Sequence, residues 1–271
     1  MFKIKNKWMI SALIFSLSFS AFAMSSAKAE ETASPSPSAS DTSASDGNKI
    51  TIQAQKTNLR ARGCVVKPKG NCSKKNLSGL DLTGLDLTGM NFSGANLSNV
   101  TLNDAVLDKV IFTGANLSGT DLSNSSAVAA NFTGANLRKA DLTDADFTRA
   151  ILTKVKASRS VLSGTDFTRA SGSGADFTYA DITSAVFEQA NLKSADFSNS
   201  TGSDPRFADA NMIGARFVGA QITSPDFSGT NLSNANFMRS QIGVYDLEEA
   251  NYCGATMSDG FAADNSTCKN N

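Results

Sequence analysis

One register of five residues runs without a break through positions 77–257. Its 37 consecutive centres begin Leu77, Leu82, Leu87, Phe92 and end Tyr252, Met257, and all but Ala127, Ala157, Gly172 and Gly202 are Leu, Phe, Ile, Met or Tyr. Two residues before each centre the chain prefers a small side chain, Ala at 20 of the 36 such positions from Leu80 to Ala255. Asn or Asp usually stands just before the centre and Ser or Thr often just after it, as in Ala95-Asn96-Leu97-Ser98. A period of five fits neither the helical 3.6 nor the strand period of two. A chain that turns a corner every five residues, with centre and small residue pointing inward, does fit it. A slip in such a register would turn the apolar set outward, so the repeat predicts a solenoid.

Four sides of five residues close a coil of 20, and residues 20 apart then stack. The columns support that length. Leu77, Leu97, Leu117 and Leu137 are followed, after Ala157, by Phe177, Phe197, Phe217 and Phe237. Phe147, Phe167, Phe187, Phe207 and Phe227 form a second column, and Leu82, Leu102, Leu122, Leu142, Leu162 and Ile182 a third. Like side chains stacked on like fill an interior of constant width, as close packing requires.

The pattern A-(D/N)-(L/F)-(S/T)-x resembles that of the pentapeptide-repeat proteins over some 180 residues. The resemblance implies an all-β fold: a right-handed quadrilateral β-helix of about nine coils with capped ends. Stacked at ~4.8 Å per coil, it would form a rod on the order of 45 Å long. The hand agrees with the general preference for right-handed crossovers. Such a fold does not by itself name an activity.

The flanks divide the rest of the chain. Lys3, Lys5 and Lys7, the apolar run 8–23 and the small-residue site Ala27-Lys28-Ala29 make residues 1–29 a secretory signal peptide, cut after Ala29. Residues 30–48, rich in Ser, Ala, Thr and Pro, read as a disordered linker. Residues 49–75 carry eight basic side chains and no acid. Ile50, Ile52 and Leu59 there could seat a short helix or strand over the first coil, an N-terminal cap for an otherwise open end. The repeat occupies 76–257, and 258–271 is a C-terminal cap or tail resembling that of exported cyanobacterial members. The expected location is the periplasm, the thylakoid lumen or the medium, without stable membrane insertion after cleavage.

The four cysteines flank the rod: Cys64 and Cys72 before it, Cys253 and Cys268 at its end. Three pairings are possible. Because the two ends should lie a rod-length apart, Cys64–Cys72 and Cys253–Cys268 are the reasonable bridges. With no His in the chain, a metal site assembled from these residues is not expected.

Acids and bases balance at 25 each; loss of Lys3, Lys5, Lys7 and Lys28 with the signal would leave −4, and residues 76–257 alone carry 12 basic and 19 acidic side chains. Within them runs a basic belt of Arg138, Lys139, Arg149, Lys154, Lys156, Arg159 and Arg169. Lys139 should stack under Arg159 and Arg149 under Arg169, on opposite faces, which suits a solvated surface better than one docking patch. It is nevertheless the candidate interaction surface. Asp121/Asp141, Asp146/Asp166, Asp176/Asp196 and Asp226/Asp246 should also stack, and their repulsion needs an offset from nearby bases, corner amides or a cation. Gly172 and Gly202 remove centre side chains, and Pro205 and Pro225 stack on one face, so a local dent or bend is expected there.

No Gly-rich phosphate loop, ligand cluster or paired carboxylates in a cleft mark an enzyme, and no cofactor is expected. The reading is a monomeric, non-catalytic exported scaffold that meets an unidentified envelope or lumenal protein and no nucleic acid. The alternative comes from the resemblance: quinolone-resistance members of the family mimic a DNA duplex and bind type II topoisomerases. The signal peptide, the cysteines and the basic belt count against it.

Overall fold

In the computed structural model, residues 43–263 and Cys268 are described. The signal peptide expected at 1–29, and the expected linker up to residue 42, lie outside them.

Each five-residue step makes one side of the coil, and every element of the motif has a structural reason. The residue before the centre pairs in parallel with the residue 20 further on, from Asn71↔Asn91 through Asn236↔Thr256. The centre then closes a four-residue turn, as where the Ala95 amide donates to the Phe92 carbonyl at 2.9 Å. The third turn residue has positive φ, 63° at Gly94 and 53° at Asn99, as a type II turn demands. Asn or Asp before the centre reaches across it: Asp141 Oδ1 accepts from the Thr143 amide at 2.9 Å and from its hydroxyl at 2.6 Å. This side-chain bridge explains why Asn/Asp and Ser/Thr flank the apolar centre.

The interior is a packed column. Phe177, Phe197, Phe217 and Phe237 stack with centroid separations of 5.0, 5.2 and 5.3 Å. Phe187, Phe207 and Phe227 stack beside them at 5.1 and 5.0 Å. The two columns meet edge to face, at 86° between Phe187 and Phe197, the geometry aromatic quadrupoles favour. Where Thr or Ser replaces the inward Ala, its hydroxyl returns to the backbone, as from Thr165 Oγ1 to the Leu142 carbonyl at 2.7 Å. Ser240 is the exception, its buried hydroxyl having no hydrogen-bond partner.

Helix α1, Ser43–Ala61, begins inside the stretch read as linker. It ends in a glycine motif: Gly63, φ 72°, lets the Cys64 amide bond the Leu59 carbonyl at 3.0 Å and its own amide bond Arg60 at 2.9 Å. Ile52, Gln55 and Leu59, at helical spacing, face the first coils, with Leu59 fully buried. Gln55 Nε2 donates to the Thr83 carbonyl at 3.2 Å, and Arg62 to the Asn76 carbonyl at 3.0 Å. Cys64 and Cys72 form a disulfide with Cα atoms 5.0 Å apart. Cys72 occupies a centre position below Phe92, so the ladder starts at Asn71, before the 76 at which the repeat was read to begin. A second disulfide joins Cys253 to Cys268.

Three local expectations give way. The register is not unbroken: Tyr245 falls at an inward position whose column holds Pro225, Pro205 and Ala185, residues much smaller than its ring. The side is rebuilt as a 3-10 turn, Val244–Leu247, with Tyr245 84% exposed. Asp246 is thereby drawn out of the ladder and its carboxylate accepts from the Gly243 amide at 2.8 Å, so it does not stack on Asp226. Gly172 makes no dent, because Leu192 leans into the vacated room; its Cδ2 would lie 2.9 Å from a Cβ at 172. At Gly202 the change is of another kind. Pro205 and Pro225 have no amide for the turn bond, and the preceding residues extend into strands β1 (Thr201–Ser203) and β2 (Gln221–Thr223), paired in parallel with Gly202 against Ile222.

Candidate interaction site

The turn residues after each centre stack at the corners of the coil, so a 20-residue interval decides which side chains meet. At one corner, three successive turns bring Arg138 and Lys139, Ser158 and Arg159, and Thr178 and Tyr179 around an open concavity of about 330 Å³. Lys139, Arg159 and Tyr179 hold the positive-φ turn position, at 59°, 61° and 59°. Each is fixed by a backbone bond to the next coil, as from the Arg159 amide to the Thr178 carbonyl at 2.9 Å. Arg138 Nε donates to the nearly buried Ser158 hydroxyl at 2.8 Å. The Arg159 guanidinium lies 5.5 Å from the centroid of the Tyr179 ring, a cation–π contact. Both arginines are exposed, and each makes one such oriented contact.

Charge at this corner is unbalanced. Among the described residues, no carboxylate forms an ion pair with Arg138, Lys139 or Arg159, whereas Arg206 pairs with Glu188 and Arg216 with Asp196, each at 3.3 Å. Lys156 extends the positive charge onto the adjoining face, where it bridges Asn136 and Asp176. Below it the same face carries a ladder of amides, Asn76, Asn96, Asn116 and Asn136, each donating to the one before at 3.1, 3.1 and 2.9 Å.

The belt is therefore divided. Arg138, Lys139 and Arg159 come together at one corner, Lys139 beneath Arg159 as the 20-residue count predicts. Lys154 lies at the other corner of that face, over Gly174. Arg149 and Arg169 belong to a different corner, where Arg169 Nε donates to Gln189 at 2.8 Å. Tyr179, Ser158 and Thr178 were not singled out from the sequence, although counting 20 residues on from Arg159 and Arg138 reaches Tyr179 and Ser158.

The stacked acids are explained locally. Asp121, Asp141, Asp146, Asp166, Asp176 and Asp196 each accept from the amide two residues on, between 2.8 and 3.0 Å. Among the described residues no cluster of Cys, Asp and Glu is arranged to hold a metal ion. Asp81 and Asp86 have carboxyls held below the ordinary range, by the Thr83 amide above all in the first and the Thr88 hydroxyl in the second. No described helix is long and apolar enough to cross a membrane.

No curated protein is similar enough to count as a match. Among solved structures, HetL, a pentapeptide repeat protein involved in heterocyst differentiation regulation in the cyanobacterium Nostoc sp. strain PCC 7120, is 22% identical with a TM-score of 0.47, over 76% of this chain and 97% of its own. QnrB1, a plasmid-mediated fluoroquinolone resistance protein, is 25% identical with a TM-score of 0.38, over 66% and 89%. A pentapeptide repeat protein of the Arabidopsis thaliana thylakoid lumen is 24% identical with a TM-score of 0.20, over 68% and 88%. The family model for pentapeptide repeats matches in 8 copies, within residues 76–201 and 203–239. With more than half its length matched in register with the coils described above, the chain belongs to the pentapeptide-repeat family and takes that family's right-handed quadrilateral β-helix.

Proposed function

We propose that this protein is an exported, non-catalytic protein-interaction scaffold, a monomeric rod of about nine coils closed at one end by α1 and at the other by the segment tied through Cys253–Cys268. One observation carries the reading. The interior is occupied by fully buried Leu and Phe columns, while the described concavities open on the outer surface, between corners and at the ends. Recognition by the exterior is what such a body offers. Two disulfides support an oxidising compartment, in keeping with export to the periplasm, thylakoid lumen or medium. Mimicry of a DNA duplex is not adopted, because Arg138, Lys139, Lys156 and Arg159 interrupt the acidic surface.

The test is crosslinking in native cells, with a photoreactive group placed at exposed ladder positions such as Asp86 and Asn191. A discrete envelope or lumenal protein joined to the rod is the expected result. Crosslinks confined to a topoisomerase would overturn it.

A further inference from the structure

The unbalanced corner deepens this reading and rests on it. We infer that Arg138, Lys139, Arg159 and Tyr179 form the binding site for a short acidic peptide segment of the partner protein, one presenting two or three carboxylates.

Three features support that ligand. First, like charges on adjacent strands repel, and here no internal carboxylate offsets them, so an anion from outside gains from all three cations at once. Second, the arginines are pre-positioned. Arg138 spends Nε on Ser158 and keeps its terminal amino groups for a ligand, while Arg159 is seated on Tyr179. A carboxylate accepts two parallel N–H bonds from such a guanidinium, and fixing the side chains in advance lowers the ordering cost of binding. Third, the site is short. Three coils at ~4.8 Å span about 10 Å, roughly the length of three extended residues. Along the same corner the adjoining coils present Ser118 and Gly119 on one side and Ser198 and Asn199 on the other, so the cationic stretch ends with these three coils. A longer polyanion finds no further cation on the adjoining coils of the corner, so a short one already makes every contact the site offers.

The experiment uses the purified full-length protein with disulfides intact, titrated calorimetrically with a capped peptide of three Asp residues flanked by Gly. The expected result is saturable binding that weakens with salt and falls about tenfold or more in the double variant Arg138→Gln, Arg159→Gln. Circular dichroism confirms that the variant remains folded. The control double variant Arg149→Gln, Arg169→Gln, with the same charge loss at another corner, should bind as the parent does. Equal loss in both variants, absence of saturable binding, or binding of inorganic tripolyphosphate as tight as that of the peptide would each overturn the assignment. A partner crosslinked in cells that still joins the Arg138/Arg159 variant unchanged would remove this site and leave the scaffold standing. Absence of any crosslinked partner would remove the scaffold itself, whatever the peptide does.

Discussion

Phe197 meets four other rings, and its removal gives a graded test of the packing argument. It is fully buried, stacked on Phe177 and Phe217 at 5.0 and 5.2 Å, and met edge-on by Phe187 and Phe207 at 5.6 and 5.7 Å. Phe92 is equally buried but stacks on one ring, Phe112, at 5.4 Å. Both Phe→Ala changes forfeit transfer and cavity terms of about 3–5 kcal/mol. Each aromatic pair adds about 0.5–1.5 kcal/mol beyond its buried area. Phe197→Ala therefore belongs at the upper end of the range and Phe92→Ala at the lower, at least about 1 kcal/mol apart. That gap corresponds to a further fall of about 2–4 °C in Tm. Each coil packs only on its neighbours, so a gap in the middle should also uncouple the two halves and broaden or split the transition. Thermal melts followed by circular dichroism and tyrosine fluorescence read both effects. A Phe92→Ala variant as unstable as Phe197→Ala, with both transitions single and sharp, would refute the ring-stacking account.

Replacing Cys64 and Cys72 by Ser opens an eight-residue separation and should cost about 2–3 kcal/mol by the chain-entropy estimate; limited proteolysis should then cut near Arg60 and Arg62 first, and an unchanged cleavage pattern would contradict the docking of α1. Asn116→Ala breaks two rungs of the amide ladder and should destabilise by about 1–2 kcal/mol, read in urea titrations; an unchanged midpoint would contradict the ladder's role. The depressed carboxyls of Asp81 and Asp86 have folded values below their unfolded ones. Their contribution is present above the ordinary carboxylate range and is lost as pH falls through the folded values. Asp81→Asn with Asp86→Asn should flatten the acid limb of the stability profile, and an unaltered limb would count against those bonds.

The body of the rod was legible because its physics is periodic. One inward pair per five residues repeats often enough that the columns, and even the stacking partners, follow from counting. The exceptions are places where one residue breaks a local rule. Tyr245 stands where the motif prefers a small residue, but only the structure shows that a side of the coil is rebuilt around it. Cys72 was read for its sulfur and not as the first centre below Phe92. Helix α1 begins among Ser and Asp, composition that resembles the linker before it, and its seat depends on tertiary packing of Leu59 and Gln55. The site was half legible. Arg138, Lys139 and Arg159 were visible as charge, but Tyr179 falls on the turn position where the motif accepts any residue. Its role as a platform emerges only when Arg159 is found over its ring.

The central claim, an exported scaffold, is tested most directly by fractionating the native cells and sequencing the N-terminus of the recovered protein. The account predicts a species in the exported or lumenal fraction that begins at Glu30, with Cys64–Cys72 and Cys253–Cys268 both oxidised. A cytoplasmic species that still begins at Met1, with free thiols, would contradict it.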